Sequence, residues 1–381
     1  MTEKLYYKDA YIKEFTASVI SSEPCDGGFD TVLDKTAFFP EEGGQYSDKG
    51  YINGIRITDV REISGVIHHY SEEQVGITEN AVCKIDFEER YEKMQCHTGE
   101  HILSGIIHSL YGLDNVGFHL GGDDVTMDIS APLTREELDR VEGLANEVIY
   151  KNLPVLTYFP DKKELSGLNY RSKKEFTENV RLVEIENCDR CACCAPHVKN
   201  TGEIGVIKIL DFAKMRGGIR IHIVAGRRAY RVFSELFKSA AQISAQLSYP
   251  REEILFGVEK MLDDISKLRS EVRSLRLKDI EREAEALLSV SGNKVILLPE
   301  REISELIAFS NIAISKISGI LVLLSGNEGE YKYVISSNSV NLKEEASKIN
   351  NRLLGRGGGK PNMIQGSFSC SLKEIEDYFS L

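Results

Sequence analysis

Long apolar runs are missing from this sequence of 381 residues. No stretch approaches the roughly 18 consecutive apolar residues that a membrane-spanning helix requires, so the sequence predicts no such helix. The charged opening Met1-Thr-Glu-Lys also has no apolar stretch behind it that could act as a signal peptide. We therefore expect the protein to reside in the cytoplasm and to have no membrane partner.

An excess of positive charge is missing as well. Lysine and arginine number 47 and aspartate and glutamate 59, which gives a net charge of −12. This balance argues against a protein that coats nucleic acid without specificity, although it leaves room for a local basic face. Disorder is also unexpected, because 42% of the residues are hydrophobic and can form cores.

The eight cysteines are distributed unevenly. In a chain without an export signal they are expected to be reduced thiols. Four of them lie close together in the sequence: Cys188, Cys191, Cys193 and Cys194. Such crowding favours metal binding over disulfide formation.

The length and patterning of the chain predict an α+β multidomain protein. Residues 1–88 contain short alternating runs between turn signals, which is typical of a β-barrel-like unit. Residues 89–232 combine helix and strand patterns in a second, α+β domain. Residues 233–288 are predicted to be a helical, coiled-coil linker, and residues 289–381 a small α/β domain.

Two helices of the second domain have clear boundary signals. The first follows Asp86, a candidate N-cap with Glu89 three residues later, and continues until Gly112. The second begins at Thr134, where Glu137 completes a capping box. Its buried stripe is predicted to consist of Leu138, Val141, Ala145 and Val148.

Residues 251–282 carry apolar residues at alternating spacings of four and three. The seam consists of Ile254, Val258, Met261, Ile265, Leu268, Val272 and Leu275. This pattern fits a helix packed on its own chain and equally a coiled coil that joins two chains in a homodimer.

Two short motifs supply metal-ligand spacing. His97 and His101 are four residues apart on a predicted helix, so their imidazoles lie on one face. Cys193 and His197 repeat the same spacing about ninety residues later. The two half-sites together provide four nitrogen and sulfur ligands, the number that Zn²⁺ takes in a tetrahedral site.

Two alternatives compete with this site. Cys188, Cys191, Cys193 and Cys194 could form a cramped four-sulfur site, although buried thiols near the metal are the simpler interpretation. The run from His97 to His101 also fits the H-x-x-E-H pattern of inverted zinc peptidases, in which Glu100 would activate water. In the four-ligand site Glu100 is instead a candidate hydrogen-bonding partner of a metal ligand or a plain solvated glutamate.

Three further motifs accompany the metal ligands. They are Thr36-Ala-Phe-Phe-Pro-Glu-Glu-Gly-Gly-Gln45 with Asp48-Lys-Gly50, Thr201-Gly-Glu-Ile-Gly205, and Gly355-Arg-Gly-Gly-Gly-Lys-Pro-Asn-Met-Ile-Gln-Gly366. In this order they resemble motifs of the editing and C-terminal domains of alanyl-tRNA synthetases. The chain thus resembles the long form of the free-standing AlaX-type alanyl-tRNA editing proteins over almost its whole length.

Several residues depart from the family pattern. Phe39 stands in place of a tyrosine, Glu42 in place of a glycine, and Cys193-Cys-Ala-Pro-His197 in place of the synthetases' C-G-G-T-H. Ile219-Arg220 stands where the synthetases carry paired arginines. These changes leave the metal ligands intact and favour a free-standing editing protein over a synthetase fragment.

The resemblance implies a zinc-dependent hydrolase that deacylates mischarged tRNA(Ala), chiefly Ser-tRNA(Ala) and also Gly-tRNA(Ala), with residues 89–232 as the editing domain. It makes Thr36 the expected partner of the serine hydroxyl, because a polar partner is needed to select for a hydroxyl. Gln45 is expected to hydrogen-bond the ribose or the aminoacyl group. We expect neither tRNA charging nor phosphoesterase activity, since the chain lacks both an aminoacylation domain upstream and an Asp-His-His element.

Candidate tRNA contacts lie in two regions. Residues 206–231 hold seven basic residues against Asp211, among them Arg216 and Arg220. Arg356 and Lys360 flank three glycines that could form either an anion-binding nest or a turn needed only for the fold. The rival to an enzyme is a non-catalytic, zinc-stabilised tRNA-binding protein.

Overall fold

The computed structural model describes residues 1–121, 125–172 and 180–380. They form two compact units, Met1–Gln242 and Ile243–Leu381. In this part of the chain no helix combines the length and the apolar character that crossing a membrane would need. The finer division at residues 88, 232 and 288 stays a prediction.

The first unit begins with an open, curled half-barrel of strands. Its strands are β1 (Glu3–Lys4), β2 (Glu14–Ala17), β3 (Val19–Cys25), β4 (Gly28–Leu33), β5 (Lys35–Thr36), β6 (Gly50–Ile52), β7 (Ile55–Ile63), β8 (Val66–Ser71) and β9 (Ala81–Ile85). Seven form an antiparallel sheet in the order β2-β9-β6-β7-β8-β4-β3, and β1 pairs with β5. The predicted β-rich unit is confirmed, but its end strands β2 and β3 do not pair and the barrel is not closed.

The rest of the first unit mixes helices and two further sheets. The elements are α1 (Phe87–Tyr111), β10 (Asn115–Leu120), β11 (Val125–Ile129), α2 (Arg135–Tyr150), β12 (Val155–Tyr158), α3 (Lys162–Gly167), β13 (Leu182–Ile185), β14 (Asp189–Ala192), β15 (Ile207–Met215), β16 (Gly218–Ala225) and α4 (Gly226–Leu247). One sheet has the order β10-β11-β16-β15 and the other β12-β13-β14. A single hydrophobic core joins α1 and α2 to these sheets.

Helix α1 is the central element of this unit. Its predicted end is confirmed, because Gly112 adopts a left-handed conformation with φ 65° and donates its N–H to the His108 carbonyl at 2.9 Å. Asp86 occupies the N-cap position but makes no capping bond, and its carboxylate pairs with Arg56 at 2.7 Å. Every residue from Lys93 to Ile107 is buried. Polar side chains on this helix therefore need partners inside the protein.

Helix α2 begins as the sequence predicts. The Thr134 hydroxyl accepts the Glu137 N–H at 3.2 Å, and the Glu137 carboxylate accepts the Thr134 N–H at 2.7 Å. Leu138, Val141 and Ala145 are buried, but the fourth buried position is Ile149 and not Val148, which is only partly covered.

The second unit is a small domain of helices and one mostly antiparallel sheet with a long helix before it, which is an α+β arrangement rather than the predicted α/β one. Its elements are α5 (Ile254–Ala286), β17 (Lys294–Leu297), α6 (Ile303–Ala313), β18 (Ile320–Asn327), β19 (Glu330–Ser337), α7 (Leu342–Arg352), β20 (Gly355–Lys360), β21 (Met363–Phe368) and α8 (Leu372–Phe379). The sheet order is β17-β18-β19-β21-β20. Two hydrophobic cores belong to this unit.

Helix α5 confirms the helical prediction for the heptad region. Five of the seven seam residues are between 39% and 59% exposed: Met261, Ile265, Leu268, Val272 and Leu275. A single chain therefore leaves most of the seam uncovered, and self-association through residues 251–282 stays a prediction.

A buried ion pair joins α1 to the segment that follows β5. Arg90 and Asp48 are 0% and 1% exposed, and Arg90 Nε donates to Asp48 Oδ2 at 3.0 Å. The same carboxylate oxygen accepts the Phe39 N–H at 2.6 Å, and Arg90 also donates to the Ala37 carbonyl. Removal of one partner would leave an uncompensated charge in the core.

We predict that Arg90→Leu lowers the free energy of unfolding by about 3–5 kcal/mol, because Asp48 would remain charged and buried. Urea unfolding monitored by circular dichroism measures this loss. The control is Arg135→Ala, which removes an exposed ion pair to Asp139 and should change stability by about 1 kcal/mol or less. Equal effects of the two substitutions would contradict a special role for the buried pair.

Candidate metal centre and cavity

The structure brings the four sequence-predicted metal ligands together. One donor atom from each of His97, His101, Cys193 and His197 lies within 4.8 Å of all the others. The Cys193 sulfur is 3.6 Å from His97 Nε2 and 3.3 Å from His197 Nε2. All three histidines are 3% exposed. Helix α1 supplies two ligands, and the loop after β14 supplies the other two.

Each imidazole is oriented by a hydrogen bond at its Nδ1 atom. His97 Nδ1 lies 2.9 Å from Gln45 Oε1, and His101 Nδ1 lies 2.9 Å from Asp189 Oδ2. His197 Nδ1 lies 3.0 Å from the Thr98 hydroxyl, which donates its own proton to the Met94 carbonyl at 2.8 Å. Acceptors at every Nδ1 place the proton there and leave each Nε2 lone pair directed at the common centre.

Asp189 is itself held by Arg171. Arg171 Nε donates to Asp189 Oδ1 at 2.8 Å, and a terminal guanidinium nitrogen donates to Oδ2 at 2.9 Å. His101, Asp189 and Cys191 form a second group of donors within 4.8 Å. The Asp189 carboxylate already forms hydrogen bonds with Arg171 and His101. The group of four is therefore a better candidate for a metal site than this group of three.

The electrostatics of the cluster favour a cation at its centre. Burial alone would raise the pKa of the Cys193 thiol, but the imidazoles of His97 and His197 hold this pKa well below its usual range. Burial lowers the pKa of His197 to about 3, which keeps its ring neutral. Burial would lower the pKa of His101, but Asp189 and Cys193 hold it well above its usual range, so Zn²⁺ would take the place of a proton on this ring. A thiolate and neutral imidazoles are the ligand forms that Zn²⁺ binds. The residues present therefore fit this metal.

A cavity of about 460 Å³ opens onto the cluster. Its walls carry aromatic, acidic and basic side chains beside the metal ligands: Tyr7, Phe118, Phe159, Glu42, Glu100, Arg171 and Arg181. Arg181 is 7% exposed, and it donates to the Cys193 and Ala195 carbonyls at 2.9 Å each, which holds the ligand loop in place. A metal at this cluster would thus be reachable from the cavity.

Glu100 lines this cavity and is 4% exposed, so it is not a solvated glutamate. Its Oε1 atom accepts hydrogen bonds from Ser104, at 2.6 Å, and from Asn115. Its Oε2 atom lies 4.0 Å from His101 Nε2, on the side of the metal cluster. The carboxylate is therefore fixed next to the site without being one of the four converging ligands.

Gln45 is completely buried beside His97. Its Oε1 atom forms the hydrogen bond with the histidine Nδ1. Its Nε2 atom has no hydrogen-bond partner among the described residues. The two glycines before it adopt positive φ angles, and a Cβ atom on Gly44 would lie 2.1 Å from the Phe118 carbonyl oxygen. Glycine is thus required there for close backbone approach.

Thr36 lies in β5 and is not among the residues that line the cavity. Its buried hydroxyl is 2.9 Å from His69 Nε2 and accepts the Phe38 N–H at 3.1 Å. Burial lowers the pKa of His69 to about 4, so the ring is neutral, and its Nδ1 lies 3.0 Å from the Thr31 carbonyl oxygen. This network gives Thr36 a role in the fold, and its predicted contact with a serine hydroxyl stays a prediction.

The remaining clustered cysteines surround the site as free thiols. Cys191 and Cys194 line the cavity, and Cys188 lies 3.9 Å from the Ile102 carbonyl oxygen. Burial raises the pKa of Cys191 to about 11 and that of Cys188 to about 12. Both groups are therefore thiols at neutral pH, which favours the interpretation of buried thiols over a four-sulfur site.

Many basic side chains of residues 206–231 are paired with acids. Arg220 forms two bonds to Asp128, at 2.7 and 2.8 Å, and Lys208 pairs with Glu142 at 2.6 Å. Arg216 is exposed in the turn between β15 and β16. The acids come from distant segments, so a local count of charge overstates the basic face.

Arg356 and Lys360 are exposed on β20. The glycines between them pair with β21 in an extended strand, and none of them has a positive φ. The anion-binding nest considered from the sequence is therefore wrong, because a nest requires glycines that depart from the extended conformation.

The sequence patterns do not predict four residues that shape the site: Thr98, Arg171, Arg181 and Asp189. Thr98 lies between the two histidines of α1, and its position within that motif is the one signal that could have pointed to it. The other three act through contacts that no local spacing rule describes.

We predict that the chain binds one Zn²⁺ and that Asp189→Asn weakens zinc affinity by about 10–100-fold, because His101 loses its charged acceptor. Competition with a chromophoric chelator measures the affinity. The control is Asp114→Asn, which alters an exposed histidine–aspartate contact to His108 and should leave zinc binding unchanged. Zinc retained by a His97→Ala, Cys193→Ala double variant would contradict the assignment.

Comparisons with known proteins find relatives over nearly the whole chain. The family model described as "Threonyl and Alanyl tRNA synthetase second additional domain" matches residues 180–222. The alanyl-tRNA editing protein AlaX-L of Pyrococcus horikoshii is 30% identical, with 99% of this chain and 97% of that protein covered. The alanyl-tRNA editing protein Aarsd1 of Mus musculus is 27% identical over 98% of this chain and 95% of its own length.

Synthetases match the chain over part of their length. The alanine–tRNA ligase of Ignicoccus hospitalis is 29% identical over 95% of this chain, which corresponds to 40% of the ligase. The C-Ala domain crystal structure from Aquifex aeolicus alanyl-tRNA synthetase covers 23% of this chain and 87% of that chain at 18% identity, with a TM-score of 0.21, too low to support an argument about the fold. Since the archaeal AlaX-L matches nearly the full length of both chains, this protein belongs to the family of AlaX-type alanyl-tRNA editing proteins.

Proposed function

We propose that this protein is a zinc-dependent deacylase that hydrolyses the ester between a wrong amino acid and tRNA(Ala), chiefly in Ser-tRNA(Ala) and also in Gly-tRNA(Ala). The observation that carries the proposal is the convergence of three imidazole Nε2 atoms and one thiolate at a cavity that also contains a fixed carboxylate. The names of the full-length relatives, both alanyl-tRNA editing proteins, support the substrate class.

The donor set suits ester hydrolysis. Zinc held by His97, His101, Cys193 and His197 would supply the Lewis acidity that polarises an ester carbonyl. Glu100 is a group that can accept a proton beside that position, since Ser104 and Asn115 donate to its Oε1 atom and orient the carboxylate. Gln45 keeps its role as the acceptor that orients His97. It is buried and is not among the residues that line the described cavity, so its expected contact with the ribose or the aminoacyl group stays a prediction.

In the proposed reaction, water adds to the ester carbonyl carbon and Glu100 accepts one of its protons. The bond between this carbon and the ribose oxygen then breaks, and the ribose oxygen receives that proton. The products are a free amino acid and a tRNA with an intact terminal hydroxyl. No oxidant, reductant or further reactant is needed.

A second candidate function is supported by the number of ligands. Four protein donors fill the tetrahedral coordination of Zn²⁺, which is typical of closed structural sites. The protein would then bind tRNA without acting on it. The peptidase alternative has less support, because the ligands that follow the α1 histidines are a thiolate and an imidazole, and no carboxylate joins the group of four.

Contacts to tRNA are proposed for Arg216, Arg356 and Lys360, which are exposed. Arg220 can join them only if a phosphate competes with Asp128 for its guanidinium. A homodimer through residues 251–282 would cover the exposed seam of α5 and remains part of this proposal.

We expect the purified protein to release serine from Ser-tRNA(Ala) faster than alanine from Ala-tRNA(Ala), with Glu100→Gln lowering kcat by about 10²–10⁴-fold because a general base is lost. Loss of each labelled ester at pH 7 measures both rates. The control is Glu136→Gln, an exposed substitution on α2 that should have no effect. Full zinc binding without hydrolysis of either ester would instead establish the non-catalytic alternative.

We predict that Thr36→Val lowers the free energy of unfolding by about 1–3 kcal/mol, because the Phe38 N–H and His69 Nε2 both lose a buried partner. Thr58→Val on the exposed face of β7 is the control. The ratio of Ser-tRNA(Ala) to Ala-tRNA(Ala) hydrolysis is measured with the same variant. A reduced ratio would support the predicted contact with the serine hydroxyl, and an unchanged ratio would limit Thr36 to the fold.

A further inference from the structure

A carboxylate stands at the rim of the metal cavity on a rigid turn. Glu42 donates its backbone N–H to the Gln45 carbonyl at 3.2 Å, and Gln45 donates its backbone N–H to the Glu42 carbonyl at 3.1 Å. Leu120 donates its N–H to the Gly44 carbonyl at 2.7 Å, which anchors the turn to β10. The backbone from which the Glu42 side chain extends at the cavity wall is therefore fixed.

Glu42 and Glu100 are the two acidic residues of the described cavity wall. Glu100 is engaged by Ser104 and Asn115. Glu42 instead has the Cys194 thiol as a hydrogen-bonding neighbour, and among residues 1–121, 125–172 and 180–380 no lysine or arginine forms an ion pair with it. A carboxylate without a cation at the entrance of a cavity is suited to a positively charged ligand group.

The substrate class of the proposed function carries such a group. An aminoacyl ester has a protonated α-amino group one carbon away from the ester carbonyl, whereas peptidyl and other N-acylated esters have none. The metal cluster and the nearby guanidinium groups of Arg171 and Arg181 would repel this ammonium. Glu42, a carboxylate of the same cavity wall, can offset that repulsion.

We propose that Glu42 binds the α-ammonium of the aminoacyl group and is a specificity-determining residue that restricts hydrolysis to esters with a free α-amine. The inference rests on the proposed deacylase function and deepens it. Since the ammonium is present in both the ground state and the transition state, the contact contributes to binding of each and acts on KM more than on kcat.

The test compares Ser-tRNA(Ala) with N-acetylseryl-tRNA(Ala), which differ only at the amine. We expect the wild-type protein to show a KM about tenfold lower for the free amine, as one charge-assisted contact provides. Glu42→Gln should raise the KM for Ser-tRNA(Ala) about tenfold, leave kcat within about twofold and leave the KM for the acetylated ester unchanged.

Two further variants sharpen the test. Glu41→Gln neutralises the neighbouring exposed glutamate, which does not line the cavity, and should behave as the wild type. Glu42→Asp keeps the charge and should retain part of the preference for the free amine. Zinc content and thermal unfolding of each variant verify that the site and the fold are intact.

The outcomes separate the two proposals. If the wild type hydrolyses Ser-tRNA(Ala) but Glu42→Gln alters neither KM, or alters both equally, the role of Glu42 is overturned and the deacylase function stands. If the zinc-loaded wild type hydrolyses neither ester, the proposed function is overturned and the inference falls with it.

Discussion

The geometry of the site depends on the buried ion pair between Arg90 and Asp48. The pair fixes residues 37–48 against helix α1, because Asp48 also accepts the Phe39 N–H and Arg90 also donates to the Ala37 carbonyl. Gln45 belongs to this segment, and its side-chain Oε1 atom lies within hydrogen-bond distance of His97 Nδ1, two helical turns after Arg90. One charged contact in the core thus fixes the position of the half-barrel relative to the first metal ligand.

The same helix explains how a metal site can be preformed. A segment that is buried on all sides is normally apolar, yet α1 carries two histidines and a glutamate in its buried stretch. Each of them has a defined partner on a different element: Gln45 in the turn after β5, Asp189 in β14, and Asn115 in β10. These partners satisfy the polar atoms and also fix the direction in which each ligand points.

Local patterns in the sequence predict the parts of this structure that local physics determines. The i, i+4 spacing predicts that His97 and His101 share a face, and the capping box predicts the start of α2 at Thr134. The partners of Arg220 and Thr36 lie far away in the sequence, at Asp128 and His69. Such pairs follow from strand register and sheet order, which composition and periodicity do not specify. The spacing of the two half-sites identified the ligands, but neither this spacing nor the resemblance to a family could predict the contacts made by their supporting residues.

Strand β20 lies at the edge of the second unit's sheet, and among the described residues β21 is the only strand that pairs with it. An extended, glycine-rich edge offers a template on which another strand can add, and this is a common origin of aggregation. Arg356 and Lys360 place like charges along this edge, so two copies of it repel each other. The two cations therefore disfavour pairing between the edges of two copies, and their removal would expose a surface on which chains could polymerise.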